Sequence, residues 1–242
     1  MTDFHFSEKE LTFFLAVVWA SLGFFLYYFF SMNNGPGTRA AARNGDPGKA
    51  SVYQVLLQRL WGVLFLGLVP ALWILFSGKL SFHDFGFSTI FANPIPWWSW
   101  LLVAGILLLG YFNSGAKGNL EHYPMIRVQH WSYSLVLLSA LSWIAYLVAY
   151  EFFFRGILLY SSLSLLGPWP AIALNISIYA FAHMYKGAGE AFGALPLGVV
   201  FCLITLITGN IWTVTILHVI MALSNEWFSL WKHPGMKIIK QW

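Results

Sequence analysis

Charge is what this sequence has least of. Only 9% of its 242 residues are Asp, Glu, Lys or Arg, against 59% apolar and 19% aromatic, where a soluble domain carries about 25% charged residues. A chain of this length could not cover a water-facing surface with so few charges, which excludes a water-soluble protein. Cysteine is nearly absent too: Cys202 stands alone in an apolar run, so no intramolecular disulfide can form. GxGxxG, P-loop, HExxH and CxxC motifs are missing, and the dinucleotide, nucleotide and common zinc readings have nothing to rest on. There is no internal repeat and no low-complexity tract. The net charge of +4 does not call for a nucleic-acid partner, because the positions of the charges matter more than their sum.

What the chain does have is long apolar runs and interfacial aromatics. Mean hydropathy is +0.68, and 13 Trp and 11 Tyr suit a protein anchored at two membrane–water interfaces. Runs near the ~20 residues that span a bilayer occur at 11–31, 55–76, 97–112, 134–165, 168–185, 192–208 and 211–231. Pro94 and Pro96 mark the start of the third. The first run is too long for a cleavable signal, is flanked by Asp3, Glu8 and Glu10, and meets no small-residue cleavage site, so it is expected to stay in the mature protein. Asn33 to Ala50, rich in glycine, proline and basic residues, reads as a flexible loop. With the N-terminus outside, the inside segments carry Arg39, Arg43, Lys49, Arg59, Lys117, Arg127, Lys186, Lys232, Lys237 and Lys240. The outside segments carry Lys9 and Lys79, and Arg155 lies within a span. Ten against two follows the positive-inside rule. The expectation is an all-α, multi-pass cell-membrane protein of about seven spans, N-terminus outside and C-terminus cytoplasmic, with bilayer lipid as its first partner.

Ionisable groups inside a membrane cost several kcal/mol and usually face the bundle interior. Glu151 and Arg155 stand four residues apart in Tyr150-Glu151-Phe152-Phe153-Phe154-Arg155-Gly156, on one helical face. Tyr179 and His183 repeat that spacing, and His218 sits in Thr213 to His218 with Ser224 and Asn225 following. Each has a structural reading: an ion pair that neutralises itself, an interfacial histidine beside Lys186, a core histidine bonded to a carbonyl. His5, His83, His122, His130 and His233 lie in or beside loops and receive no role. The 35 residues from Ser132 to Leu166 would make a helix of about 52 Å, longer than a ~30 Å hydrocarbon core. If its first two turns protrude, Glu151 lies about 16 Å, His183 about 21 Å and His218 about 10 Å below the outer boundary. One carboxylate and two imidazoles within about two helical turns of the same depth suggest a shared site.

At these residues the sequence resembles the CPBP family of intramembrane proteases, which includes type II CAAX prenyl endopeptidases and bacteriocin-processing or self-immunity proteins. Glu151, Arg155 and Gly156 match the end of the pattern EExxxR and its following glycine. His183 matches FxxxH with Tyr179 in place of Phe, and His218 matches the histidine of HxxxN. The resemblance covers roughly 132–232 and implies a four-helix-type protease core there, preceded by an N-terminal membrane region at 1–131 and followed by a basic cytoplasmic tail at 233–242. Two positions depart from the pattern. Tyr150 replaces the first Glu, the residue credited with activating water, and Ala222 replaces the Asn or Asp four residues after the last histidine. Asn225, seven residues after His218, returns to within about 20° of its face.

The resemblance implies an endopeptidase acting on a membrane-associated peptide or protein, CAAX-type or bacteriocin-type, with Glu151, His183 and His218 as the working set. A glutamate in an apolar cavity suits a general base; burial disfavours its charge and Arg155 favours it, so the two influences oppose. His183 could share the proton transfer, while His218, with Asn225, would donate hydrogen bonds to the oxyanion. No cofactor is expected, although Glu151, His183 and His218 form a chemically acceptable zinc set. Two other classes stay open: a catalytically silent member serving as immunity factor or membrane scaffold, and a small transporter subunit, which would also use intramembrane charge.

Overall fold

The computed structural model describes the 242-residue chain except residues 1–5, 32–34, 36–37, 40–41, 44, 89–94 and 241–242. Part of the expected loop at 33–50 and the boundary residue Pro94 therefore lie outside the described residues. The rest is an all-α membrane-type bundle with almost no sheet. Its helices are α1 (Glu8–Ser31), α2 (Pro47–Ser77), α3 (Ser99–Asn113), α4 (Lys117–His122), α5 (Tyr133–Leu166), α6 (Pro168–Phe181), α7 (Ala188–Thr208) and α8 (Trp212–Lys232).

Each of the seven expected spans coincides with one helix. Four of them, α1, α2, α5 and α7, are long and apolar enough to cross a membrane, and α3 is a shorter apolar helix. Three boundaries differ clearly from the sequence reading, the largest at α2, which begins at Pro47 rather than 55 and so takes the end of the expected loop, Pro47 to Ala50, into the helix. α7 begins at Ala188 rather than 192, and α6 stops at Phe181 rather than 185. The basic tail also departs from expectation: Lys237–Ile239 forms a strand, β2, that pairs in parallel with β1 (His130–Ser132).

The chain divides into two compact units that interleave along the sequence. One comprises Met1–Leu26, Phe65–Ile95 and Ala149–Val214; the other comprises Tyr27–Leu64, Pro96–Val148 and Thr215–Trp242. α1 shows how these helices are built for lipid. Its small residues Ala16, Ala20 and Gly23 are buried at helical spacing, while Phe14, Val18, Leu22, Phe25 and Phe29 point outward. A large side chain facing out loses nothing in hydrocarbon, and small ones facing in let backbones approach.

In the first unit, Leu159, Ala171, Ile172 and Cys202 form a core joining α5, α6 and α7. Gly167, at φ 78°, makes the sharp connection from α5 to α6, and Pro168 starts the next helix. α7 ends on Gly209 in the left-handed conformation, whose N–H bonds the Thr205 carbonyl. The Asn210 side-chain oxygen then accepts the Trp212 N–H at 2.9 Å at the start of α8. In the second unit, Val55, Ile126, Trp131 and Leu230 form the core, and the Asp46 carboxylate caps α2 by accepting from Gly48 and Lys49.

Two helices widen into π-turns, at Val63–Leu68 in α2 and Phe152–Leu158 in α5. In α2 the cause is local. Pro70 has no N–H for the Leu66 carbonyl, and its ring crowds the preceding turn. In α5 no proline is present. There the Asn175 amide, reaching from α6, donates to the Phe154 carbonyl at 2.6 Å, and the Leu159 N–H also bonds that carbonyl, five residues back. A side chain inserted into the backbone ladder is a recognised cause of such distortion. Ser161 and Ser162 then donate to the carbonyls of Ile157 and Leu158, each at 2.6 Å.

Candidate active site

The π-turn of α5 carries the first motif. All seven of its residues are buried, Arg155 and Gly156 among them. Gly156 is where the backbone of the 3-10 turn Phe82–Phe85 comes close, since a Cβ there would sit 3.1 Å from the Phe85 carbonyl oxygen. Glu151 ends the α-helical part just before the π-turn. Glu151 and Arg155 are both fully buried, and Arg155 Nε stands 3.5 Å from Glu151 Oε2. The four-residue spacing thus keeps the pair on one face through the widened turn.

Aromatic faces, more than hydrogen bonds, surround the guanidinium. Arg155 Cζ lies 4.3 Å from the Tyr179 ring centroid and 5.5 Å from that of Phe201. A cation over an aromatic face is worth roughly 2 kcal/mol or more once desolvated, which offsets part of the cost of burying the charge. Glu151 adds the opposite charge beside it.

Tyr179 joins the first motif to the second. Its ring meets the His183 ring at a centroid distance of 4.5 Å, and its carbonyl oxygen is 2.8 Å from His183 Nδ1. A carbonyl can only accept, so Nδ1 is the donor in this contact. His183 lies just beyond the end of α6 rather than within it. Its bond to the Tyr179 carbonyl satisfies one of the acceptors that a helix leaves open at its C-terminus.

Tyr150 occupies the position where the motif has its first Glu. Only 5% exposed, its ring packs 4.5 Å from Phe154, 5.9 Å from Tyr179 and 6.3 Å from His183. Tyr150, Glu151, Arg155, Tyr179 and His183 therefore belong to one cluster in the first unit. Behind it Asn175 accepts the Cys202 thiol at 3.3 Å. His218 is buried on α8, with Ala222 and Asn225 half-buried further along that helix, all three in the second unit. Among the described residues no group of three or more His, Cys, Asp and Glu side chains is placed to hold a metal ion.

The sequence reading missed one charged pair. Arg59, counted there as an inside-loop cation, is buried in α2, and Glu226 is buried in α8, their Nη2 and Oε1 atoms 3.8 Å apart. The charge asymmetry becomes nine against two, with Arg59 and Arg155 both inside the protein. The signal was present: Glu226 is a carboxylate within the apolar run 211–231, the criterion that singled out Glu151.

No curated protein and no solved structure matches the chain. A family model does, over residues 131–224: Type II CAAX prenyl endopeptidase Rce1-like. The matched stretch contains Tyr150, Glu151, Arg155, Tyr179, His183 and His218, and ends one residue before Asn225. It is to the Rce1-like type II CAAX prenyl endopeptidases, a family of proteases, that this part of the chain, less than half of the whole, is similar.

Proposed function

We propose that the protein is an intramembrane endopeptidase that cleaves a lipid-anchored or membrane-associated peptide with activated water. One observation carries the reading. Within the segment similar to proteases, a fully buried carboxylate, Glu151, stands beside Arg155, and Tyr179 links that arginine to His183, whose Nδ1 is held by the Tyr179 carbonyl. In this reading Glu151 takes the proton from water as it attacks the peptide carbonyl. His183 shares the transfer to the leaving amine. His218 is assigned by motif order to the oxyanion, with Asn225 supporting it. No cofactor takes part. In the same reading the N-terminus is outside and the C-terminus cytoplasmic, and water and substrate enter from the cytoplasmic side.

The packing of Tyr150 favours a second reading. Its ring fills the position of the first Glu and wedges against Phe154, Tyr179 and His183, which fits a catalytically silent relative acting as an immunity factor or scaffold. Reconstitution separates the two. Purified protein in liposomes is offered prenylated and unprenylated CAAX peptides, and products are read by mass spectrometry. Cleavage that disappears in Glu151→Gln supports the protease. Cleavage found only in Tyr150→Glu identifies the silent form.

A further inference from the structure

The Arg59–Glu226 pair lies outside the segment similar to proteases and takes no part in the chemistry proposed above. It is nevertheless built with care. Arg59 Nη1 donates to the Ser139 carbonyl at 2.9 Å, the Ser139 hydroxyl at 3.1 Å and the Ser142 hydroxyl at 2.7 Å. Its Nη2 approaches Met125 Sδ at 3.9 Å, and its Cζ lies 4.2 Å from the Trp143 ring centroid. Glu226 accepts from the Met125 N–H at 3.3 Å and from the Ser139 hydroxyl at 3.4 Å. At 3.8 Å the charges are too far apart for a direct hydrogen bond. The Ser139 hydroxyl joins them, accepting from the guanidinium and donating to the carboxylate.

These contacts tie α2, α5, α8 and the segment at Met125 together within one unit. Elsewhere on α8 the apolar contacts of Leu230 survive a small slip, and the Lys232 contact with Tyr111 sits at the helix end. Ser229, accepting from Asn119 at 2.7 Å and donating to the Ser114 carbonyl at 3.4 Å, is a second buried polar tie, which the cysteine pair used below replaces. A slip by one residue, about 100° of rotation or 1.5 Å of rise, would leave two buried charges without compensation. Such a pair is weak evidence for added stability, since well-packed apolar residues often serve as well; fixing a register is its best-attested use.

We propose that Arg59 and Glu226 are positioning residues that set the rotation and depth of α8 and so hold His218, two turns along the same helix, in place. The register claim does not depend on the proteolytic reading of His218. Its test therefore uses structure rather than cleavage. Asn119 Nδ2 donates to Ser229 Oγ at 2.7 Å, so cysteines at 119 and 229 report the native register in a Cys202→Ser background. Oxidative cross-linking of Asn119→Cys is compared with cysteines placed in turn at 228, 229 and 230. Thermal unfolding is followed in parallel.

With Arg59→Met and Glu226→Leu together, we expect unfolding close to that of the parent. The preference of 119 for 229 over 228 and 230 should fall by about tenfold or more, equivalent to about 1.4 kcal/mol. The conservative Glu226→Asp, which keeps the charge and shortens its reach, should shift the preference with the fold intact. A double variant that keeps the parent's cross-linking preference would overturn the proposal. So would one that fails to fold, since the pair would then be a determinant of stability rather than of register, and so would an unchanged preference in Glu226→Asp.

Discussion

Glu151 and Arg155 constrain one another, and that shapes what substitution at either can report. Removing one partner of a buried pair leaves the other uncompensated, at a cost of about 3–5 kcal/mol. Glu151→Gln alone therefore tests the base and the fold together. In Glu151→Gln with Arg155→Gln both charges are gone. If Glu151 is the base, cleavage stays about 10²–10⁴-fold down while the double variant unfolds near the parent temperature. Recovery of cleavage in the double variant would make Glu151 structural. Glu151, Arg155, His183 and His218 were legible in the sequence because each is a polar group inside an apolar run. Arg59 was not, since it lies near the basic flank of its run and looked like one more interfacial cation. Its partner, Glu226, reveals its role only when α2 and α8 are seen in contact.

Helices α2 and α5 meet through small residues as well as through the hydrogen bonds of Arg59 to Ser139 and Ser142. Gly67 packs so closely that an added Cβ would fall 2.7 Å from the Ala149 Cβ and 3.5 Å from its Cα, with no flexible side chain to yield. Gly67→Ala is expected to destabilise by roughly 1–3 kcal/mol, lowering the unfolding midpoint in detergent micelles. Gly105 in α3 has nothing within 4 Å of that position. Gly105→Ala should raise the midpoint or leave it alone, because alanine is favoured over glycine in a helix by up to about 1 kcal/mol. Equal effects at the two sites would show that the close approach at Gly67 is not being felt. The helices themselves were readable from apolar run length. The π-turn of α5 was not, because it depends on Asn175, 21 residues away in sequence. The early end of α6, where the His183 ring meets the Tyr179 carbonyl, is likewise something no hydropathy pattern reveals.

At the scale of the whole molecule, exposed rows of Phe, Leu and Trp on α1, α2 and α3 have no soluble use and fit lipid. If all seven of the expected spans cross the bilayer, the termini lie on opposite faces. Single cysteines at Ser7 and Gly235, in a Cys202→Ser background, should then be labelled by impermeant maleimide from opposite sides of oriented vesicles. Labelling from one side would rule out an odd number of crossings. The charge asymmetry that motivates this arrangement survives the burial of Arg59, as nine cations still stand against two.

The π-turn at Phe152–Leu158 also changes how this chain should be laid beside others. Each of its backbone bonds encloses one more residue than an α-helical bond, so the helix loses phase there and regains it only after Leu158. A homologue without a donor at the position of Asn175 has no cause for that loss and can keep its faces aligned with fewer residues. Between Glu151 and Ser161, a gap of one residue in an alignment would then mark conserved geometry, and an ungapped match would pair side chains that face different ways.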